Sequence, residues 1–413
     1  MKELNQKSFV YKTLWISLIV FAIGASISIS LEELGAFIAI VSFGILLAMK
    51  QLKLKNSIID ISILLITIGY ISSSLIVSPE KIHSLQANLS DLWMIPLFYV
   101  IVFSLSIKQY KKILKILLWV SLFTAFYGIW ESFTGIDFIK HRVLTRWDKL
   151  YFASGFWGLH LTYGGFMAMI SVVAFGFALD MKSIKEKFFY HGIALFTLLA
   201  SIFSFSRSAI VGVFAGLFFF FIVNIKKTYK ITIIVLVILV LVFSFSHSLQ
   251  DRMHGTFNPN YIHKIWRFQI WVTALNMIKD HPIFGVGANN FSKLYNKYKE
   301  PSFDKPPMPH AHNDILNSYL LGGISGVIGY LLLFFFLIFF GLWSLKNSYS
   351  FLMIGLIASV VVMFFQGLSQ CYFVDAENSW LFWFFSAGIW LYVLENKKHY
   401  DVMNHGIDVA SEE

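Results

Sequence analysis

Charge is the first thing this 413-residue sequence lacks. Asp, Glu, Lys and Arg make up 14% of it, while 57% is hydrophobic and 18% aromatic. A water-soluble domain carries about 25% charged residues to cover its surface, so a soluble fold is excluded. The single cysteine, Cys371, rules out an internal disulfide and argues against a thiolate metal cluster. Prolines number only eight, and four of them (Pro301, Pro306, Pro307, Pro309) crowd one short stretch. The apolar runs hold almost no ionisable groups beyond edge residues such as Asp60 and Glu131. That disfavours an ion-coupled transporter, as does the lack of an obvious internal repeat. No Gly-rich phosphate loop or Ser-His-Asp arrangement stands out.

What is present is a series of apolar runs, most of them close to the 20 or so residues that cross a bilayer. Twelve spans are expected, at about 13–29, 34–49, 57–76, 91–106, 113–131, 161–179, 189–203, 209–223, 231–248, 313–343, 349–368 and 379–394. The pattern predicts an all-α polytopic membrane protein with a large helical loop between spans nine and ten. Its parts are 1–248 (nine spans), 249–311 (loop), 312–396 (three spans) and 397–413 (tail). Lys2, Lys7 and Lys12 before an apolar run look like a signal peptide, but the run continues into a second span without a persuasive cleavage site.

The cations sort by side. Nineteen lysines and no arginine fall on the side of the N-terminus, from Lys2 through Lys50, Lys108, Lys182 and Lys226 to Lys398. The positive-inside rule calls that side cytoplasmic and puts both termini there. The net charge of +10 is thus a topological signal rather than a nucleic-acid one. All five arginines (Arg142, Arg146, Arg207, Arg252, Arg267) lie on the other face. Arginine offers a planar fork suited to phosphate, which a topological lysine does not.

Candidate chemistry collects on that outer face. Arg207 sits in a turn of about five residues between two spans, as a headgroup anchor or a phosphate ligand. In the long loop Tyr261–Lys279 reads as a helix with Ile265, Phe268, Val272 and Leu275 on one stripe and Lys264, Arg267 and Trp271 on another. Trp266 and Trp271 suit sugar stacking or an interfacial belt. A second segment, Asn289–Glu300, is more polar. Then comes Pro309-His310-Ala311-His312-Asn313-Asp314, where helical spacing is expected from about Ala311, with His312 one turn inside. Gly322, Gly326 and Gly329 recur on one helical face, a surface for close packing. Arg142, Arg146 and Arg252 read as generic surface cations. His310 and His312 lack further ligands at a metal-site spacing, so no metal is expected.

His312-Asn313, nine residues, Gly323, two residues and Gly326 resembles the signature of bacterial O-antigen ligases, in the wider ligase/polymerase superfamily. Arg207 and Arg267 match that family's two arginines by context, and the layout is similar over nearly the whole chain. The resemblance implies a GT-C-like fold and a metal-independent, inverting glycosyl transfer in the bacterial inner membrane, on its periplasmic side, without a cofactor. The donor is a glycan on undecaprenyl diphosphate and the acceptor a sugar hydroxyl of lipid A-core; membrane lipid surrounds the protein and no nucleic acid is involved. Catalysis falls to His312, diphosphate binding to Arg207 and Arg267, substrate orientation to His310, Asn313, Trp266 and Trp271, and helix packing to Gly322, Gly323 and Gly326. Polymerase activity with a glycan acceptor is the near alternative, and transport of a lipid-linked glycan the distant one. One departure stands out: where some ligases carry an acidic residue after the eleventh span, this sequence has Gln370, with Asp375 and Glu377 following.

Overall fold

The computed structural model describes residues 8–147, 149–223, 233, 237, 266–346 and 349–405. Its helices are α1 (Phe9–Ile27), α2 (Ile29–Ala48), α3 (Ile59–Ile76), α4 (Lys81–Leu92), α5 (Pro96–Ser104), α6 (Ile107–Thr134), α7 (His160–Asp180), α8 (Ile184–Phe203), α9 (Arg207–Val223), α10 (Trp266–Asp280), α11 (Phe291–Tyr298), α12 (Asp314–Leu345), α13 (Phe351–Gly367) and α14 (Ala376–His405). Between α6 and α7 the two-residue strands β1 (Ile136–Asp137), β2 (Arg142–Val143), β3 (Arg146–Trp147) and β4 (Leu150–Tyr151) form two small antiparallel hairpins. The expected ninth span and the loop as far as residue 265, with Arg252, Lys264 and Ile265, lie outside the described residues, 233 and 237 aside.

Among the described residues seven helical stretches are long and apolar enough to cross a bilayer: α1, α2, α3, Lys81–Ser104, α6, α7 and α12. The helices α9 and α13 are apolar but shorter. The chain is therefore an all-α polytopic membrane protein. The stretch expected as a span at 91–106 begins earlier and is broken before Pro96, which lacks an N–H and opens α5 as its first residue.

Helix α7 forms the middle of the bundle. It is buried along nearly its whole length and packs on α8, α9 and α13, as a helix apolar all round must. Helices α3 and α12 meet backbone to backbone. A Cβ on Gly69 would stand 2.6 Å from the Gly322 carbonyl oxygen and from the Gly326 amide nitrogen. In lipid, where no hydrophobic gain draws helices together, such close approach supplies the attraction.

Gly323 behaves differently from its neighbours. Its φ of 60° and ψ of −151° break α12 internally, so it interrupts the helix rather than extending the packing face. The freed backbone is met by the segment after α10: Ile324 N–H donates to the Ile283 carbonyl (3.0 Å), while Val286 and Gly287 N–H donate to Leu320 (2.8 and 3.0 Å). A side chain at 323 would collide with the Ile283 carbonyl oxygen. Here α10 and α11 build a small core of their own from Ile270, Ala274, Met277, Val286, Phe291, Tyr295, Ala311 and Leu320.

Two expectations are corrected. The buried face of α10 is Gln269, Ile270, Thr273, Ala274 and Met277, not the stripe ending at Leu275, which is exposed. The small core beneath the cap takes up the face offset from that stripe. Helix α12 starts at Asp314 rather than Ala311, because Asn313 caps it: its Oδ1 accepts from Leu316 N–H at 3.0 Å. His312 thus precedes the helix and is not one turn inside it.

Candidate active site at one end of the bundle

The start of α12 holds the site together. Asn313 Nδ2 donates to the Leu368 carbonyl at 2.8 Å. The Asp314 carboxylate accepts the N–H groups of Tyr372 (3.3 Å) and Phe373 (3.1 Å). Two consecutive side chains thus clamp the loop joining α13 to α14. That loop delivers Gln370, whose Oε1 bonds His312 Nδ1. An amide oxygen only accepts, so Nδ1 carries the imidazole proton and Nε2 keeps its lone pair.

His312 is fixed from every side. Its φ of 49° is left-handed, a conformation that histidine tolerates better than most side chains. Its carbonyl accepts from Trp271 Nε1 at 3.3 Å, and its N–H donates to His310 Nδ1 at 3.4 Å. The two imidazoles lie edge to face with centroids 4.3 Å apart. Burial, then the neighbouring charges of Arg267 and Lys305, lower the proton affinity of His312 against the opposing pull of the Gln370 bond. Burial, His312 and Arg267 push His310 down to about 4. Both rings are therefore neutral near pH 7.

The arginines arrive from two other directions. Arg207 is the first residue of α9, after a tight turn in which Phe205 has φ 54°. Ser204 Oγ accepts from Ser206 N–H (3.1 Å), Ser206 and Ser208 hydroxyls bond at 2.9 Å, and the Tyr372 hydroxyl lies 2.9 Å from Ser208 Oγ while donating to the Leu161 carbonyl (3.1 Å). Tyr372 thereby ties the Arg207 turn to the loop that carries Gln370. Arg267 stands on α10. Burial lowers its proton affinity first and the positive charge of Arg207 second, so the two guanidiniums face one region.

Lys305 adds a further cation there. It is only 7% exposed, and its Nζ lies 3.6 Å from the centroid of the Trp266 ring. Gln269 of α10 positions it: Oε1 accepts from Lys305 N–H and Nε2 donates to Asp304 Oδ1, both at 3.0 Å. None of the ion pairs among the described residues involves Arg267 or Lys305. No group of three His, Cys, Asp or Glu among them is arranged to hold a metal.

The sequence-level candidates are thus sorted. His310, His312, Asn313, Arg207, Arg267 and Trp271 are tied to one place by bonds or electrostatics, although the Asn313 amide serves the cap and the loop, and the Trp271 indole serves the His312 backbone. Trp266 presents one ring face to Lys305 and is otherwise 58% exposed. Arg142 lies elsewhere, bonded to buried Asp137 at 3.1 Å and to the Gly158 carbonyl, so it is a fastener of the hairpins rather than a generic surface cation. Arg146 lies 5.9 Å from the Tyr151 ring centroid. Tyr372 and Lys305 escaped sequence reasoning, and Gln370 entered it only as a neutral residue where some ligases are acidic, not as a partner of His312. The one available signal was Lys305 itself, a lysine on the arginine side, fixed before Pro306-Pro307.

Residues 192–331 match the family model described as O-antigen ligase. No curated protein matches the chain. The matched stretch runs from within α8 to within α12 and contains Arg207, Arg267, His310, His312, Asn313 and the glycines of the broken helix, while the Gln370 loop lies beyond it. Over that stretch the chain is similar to the O-antigen ligase family, the same family that the His312-Asn313 and Gly323-x-x-Gly326 pattern resembles.

Proposed function

We propose that this protein is an O-antigen ligase: it moves a glycan from undecaprenyl diphosphate to a sugar hydroxyl of lipid A-core, by metal-independent inverting transfer. The carrying observation is His312, a half-buried neutral imidazole with Nδ1 committed to Gln370 and Nε2 left as an acceptor, beside Arg267 and Arg207. In this reading the acceptor oxygen attacks the anomeric carbon and its proton passes to His312 Nε2. The bond from that carbon to the diphosphate oxygen breaks, and the electron pair leaves with the diphosphate. Arg207 and Arg267 stabilise the charge that develops there, the work a divalent cation does elsewhere. Trp271 and His310 hold the His312 backbone, and Asn313 holds the loop bearing Gln370. The architecture is read as GT-C-like with twelve spans, in the inner membrane, both termini cytoplasmic and the site periplasmic, as the lysine distribution supports.

Ligase is preferred to polymerase because His312-Asn313 and the following Gly323-x-x-Gly326 resemble the ligase form at each named position. A deletion strain tests the choice. Loss of a ligase strands polymerised glycan on undecaprenyl diphosphate and leaves lipid A-core bare. A core capped by a single repeat would identify a polymerase instead. Glycan transfer by purified protein from lipid-linked donor excludes transport as the sole activity.

A further inference from the structure

We propose that Lys305 is a third anion-binding cation of this site, held in place by Trp266 and taking the diphosphate of the donor as its ligand; the assignment of that ligand rests on the transfer reading above.

Three observations carry the inference. First, Lys305 is only 7% exposed as a residue, and its ammonium has no ion-pair partner among the described residues. Its neighbour Asp304 is engaged by Gln269, so the nearest carboxylate in sequence is turned to α10. An aromatic face returns less than burying an uncompensated charge costs. Among the described residues this positive charge is left without a carboxylate partner, and an incoming anion would neutralise it. Second, the charge sits beside the arginine helix, since the Lys305 backbone is bonded to Gln269, two residues along α10 from Arg267. Lys305 and Arg267 both act on His312, and Arg267 feels Arg207, so three cations from three separate segments surround one region. A diphosphate, with charge spread over several oxygens, is the chemistry that such a set fits. Third, the residue is preset. Its backbone N–H is bonded to Gln269, and Pro306 and Pro307 restrict the chain that follows. Lysine brings a compact charge with three donors, complementing the planar forks of the arginines.

The same geometry reassigns Trp266. The face toward the site is covered by the ammonium 3.6 Å away, so its part is to seat Lys305 rather than to stack a sugar on that face.

The test uses the full-length protein in lipid nanodiscs, with inorganic pyrophosphate as probe and donor kinetics alongside. Wild type should bind pyrophosphate. Lys305→Gln should weaken that binding about tenfold or more and raise the donor KM more than it lowers kcat. Lys305→Arg should recover most of the affinity, which a merely structural role would not give. His312→Ala should bind pyrophosphate like wild type while losing transfer. Equal pyrophosphate affinity in wild type and Lys305→Gln overturns the proposal and leaves His312 chemistry standing. Failure of wild type to bind the probe overturns it as well. Binding that depends on Lys305 in a protein that transfers no glycan keeps the anion site and removes the ligase reading.

Discussion

The two ends of α13 are fastened by the same device and put to different use. At its start Asp180, from the end of α7, accepts the Ser350 hydroxyl (2.6 Å) and the N–H groups of Phe351 (2.8 Å) and Leu352 (3.1 Å). Just past its other end Asp314, from the start of α12, accepts the N–H groups of Tyr372 and Phe373. Each is a carboxylate from one helix gripping the backbone beside another. Around Asp180 the carboxylate is filled by the three donors it receives. Around Asp314 the polar groups assemble a loop near Arg267 and Lys305, neither of which has a carboxylate in an ion pair among the described residues. One carboxylate fastens helix to helix; the other fastens a loop beside the proposed site and those two cations.

The largest expected effects lie at the Asp314 end. His312→Ala is expected to abolish transfer with protein levels intact, and Arg207→Lys or Arg267→Lys to lower the rate on the order of 10²–10³, because a point charge does not reproduce the guanidinium fork. Near-normal turnover of His312→Ala in a purified assay would make the two ends alike and remove the assigned role. The Asp180 end should respond in stability instead. Asp180→Ala leaves three donors without their acceptor, a loss of about 1–3 kcal/mol for unsatisfied groups. Its melting temperature in detergent should fall while the donor KM of the folded fraction stays near wild type. A changed KM would mean that the fastener reaches the chemistry.

The smallest effect sharpens the comparison most. Gln370→Glu puts a carboxylate where the neutral amide now bonds Nδ1. A carboxylate favours imidazolium, so the proton affinity of His312 rises from its present lowered value. The base must be neutral to accept a proton, so the acidic limb of the kcat/KM profile should move to higher pH. An unmoved limb would show that His312 does not titrate in catalysis.

Much of this was legible in the sequence, and the failures have physical causes. Composition and run length are enough for a helical membrane protein, because a bilayer admits few alternatives. His312 was legible as a polar residue at the mouth of an apolar run. Its place outside the helix was readable too, since asparagine ahead of such a run is a preferred cap; the helical spacing of the glycines outweighed that signal. Gln370 was legible as a departure from the acidic pattern but not as the partner of His312. It meets His312 across 58 residues, and the meeting depends on where Asn313 and Asp314 pin a loop, which no local pattern encodes. The buried face of α10 was misread because its partners are Val286, Phe291 and Ala311, segments without a period of their own. Gly323 looked like a packing residue because only a backbone dihedral distinguishes it from Gly322 and Gly326.

That dihedral has a mechanical consequence. Where α12 breaks, its open backbone groups are completed by Ile283, Val286 and Gly287, so the extramembrane segment is spliced into the helix rather than laid upon it. A spliced part cannot swing away without leaving backbone donors and acceptors bare at the edge of a low-dielectric medium. Arg267, on the helix leading into that segment, and His312, just ahead of α12, are consequently joined through one backbone frame, as two jaws cut from the same block.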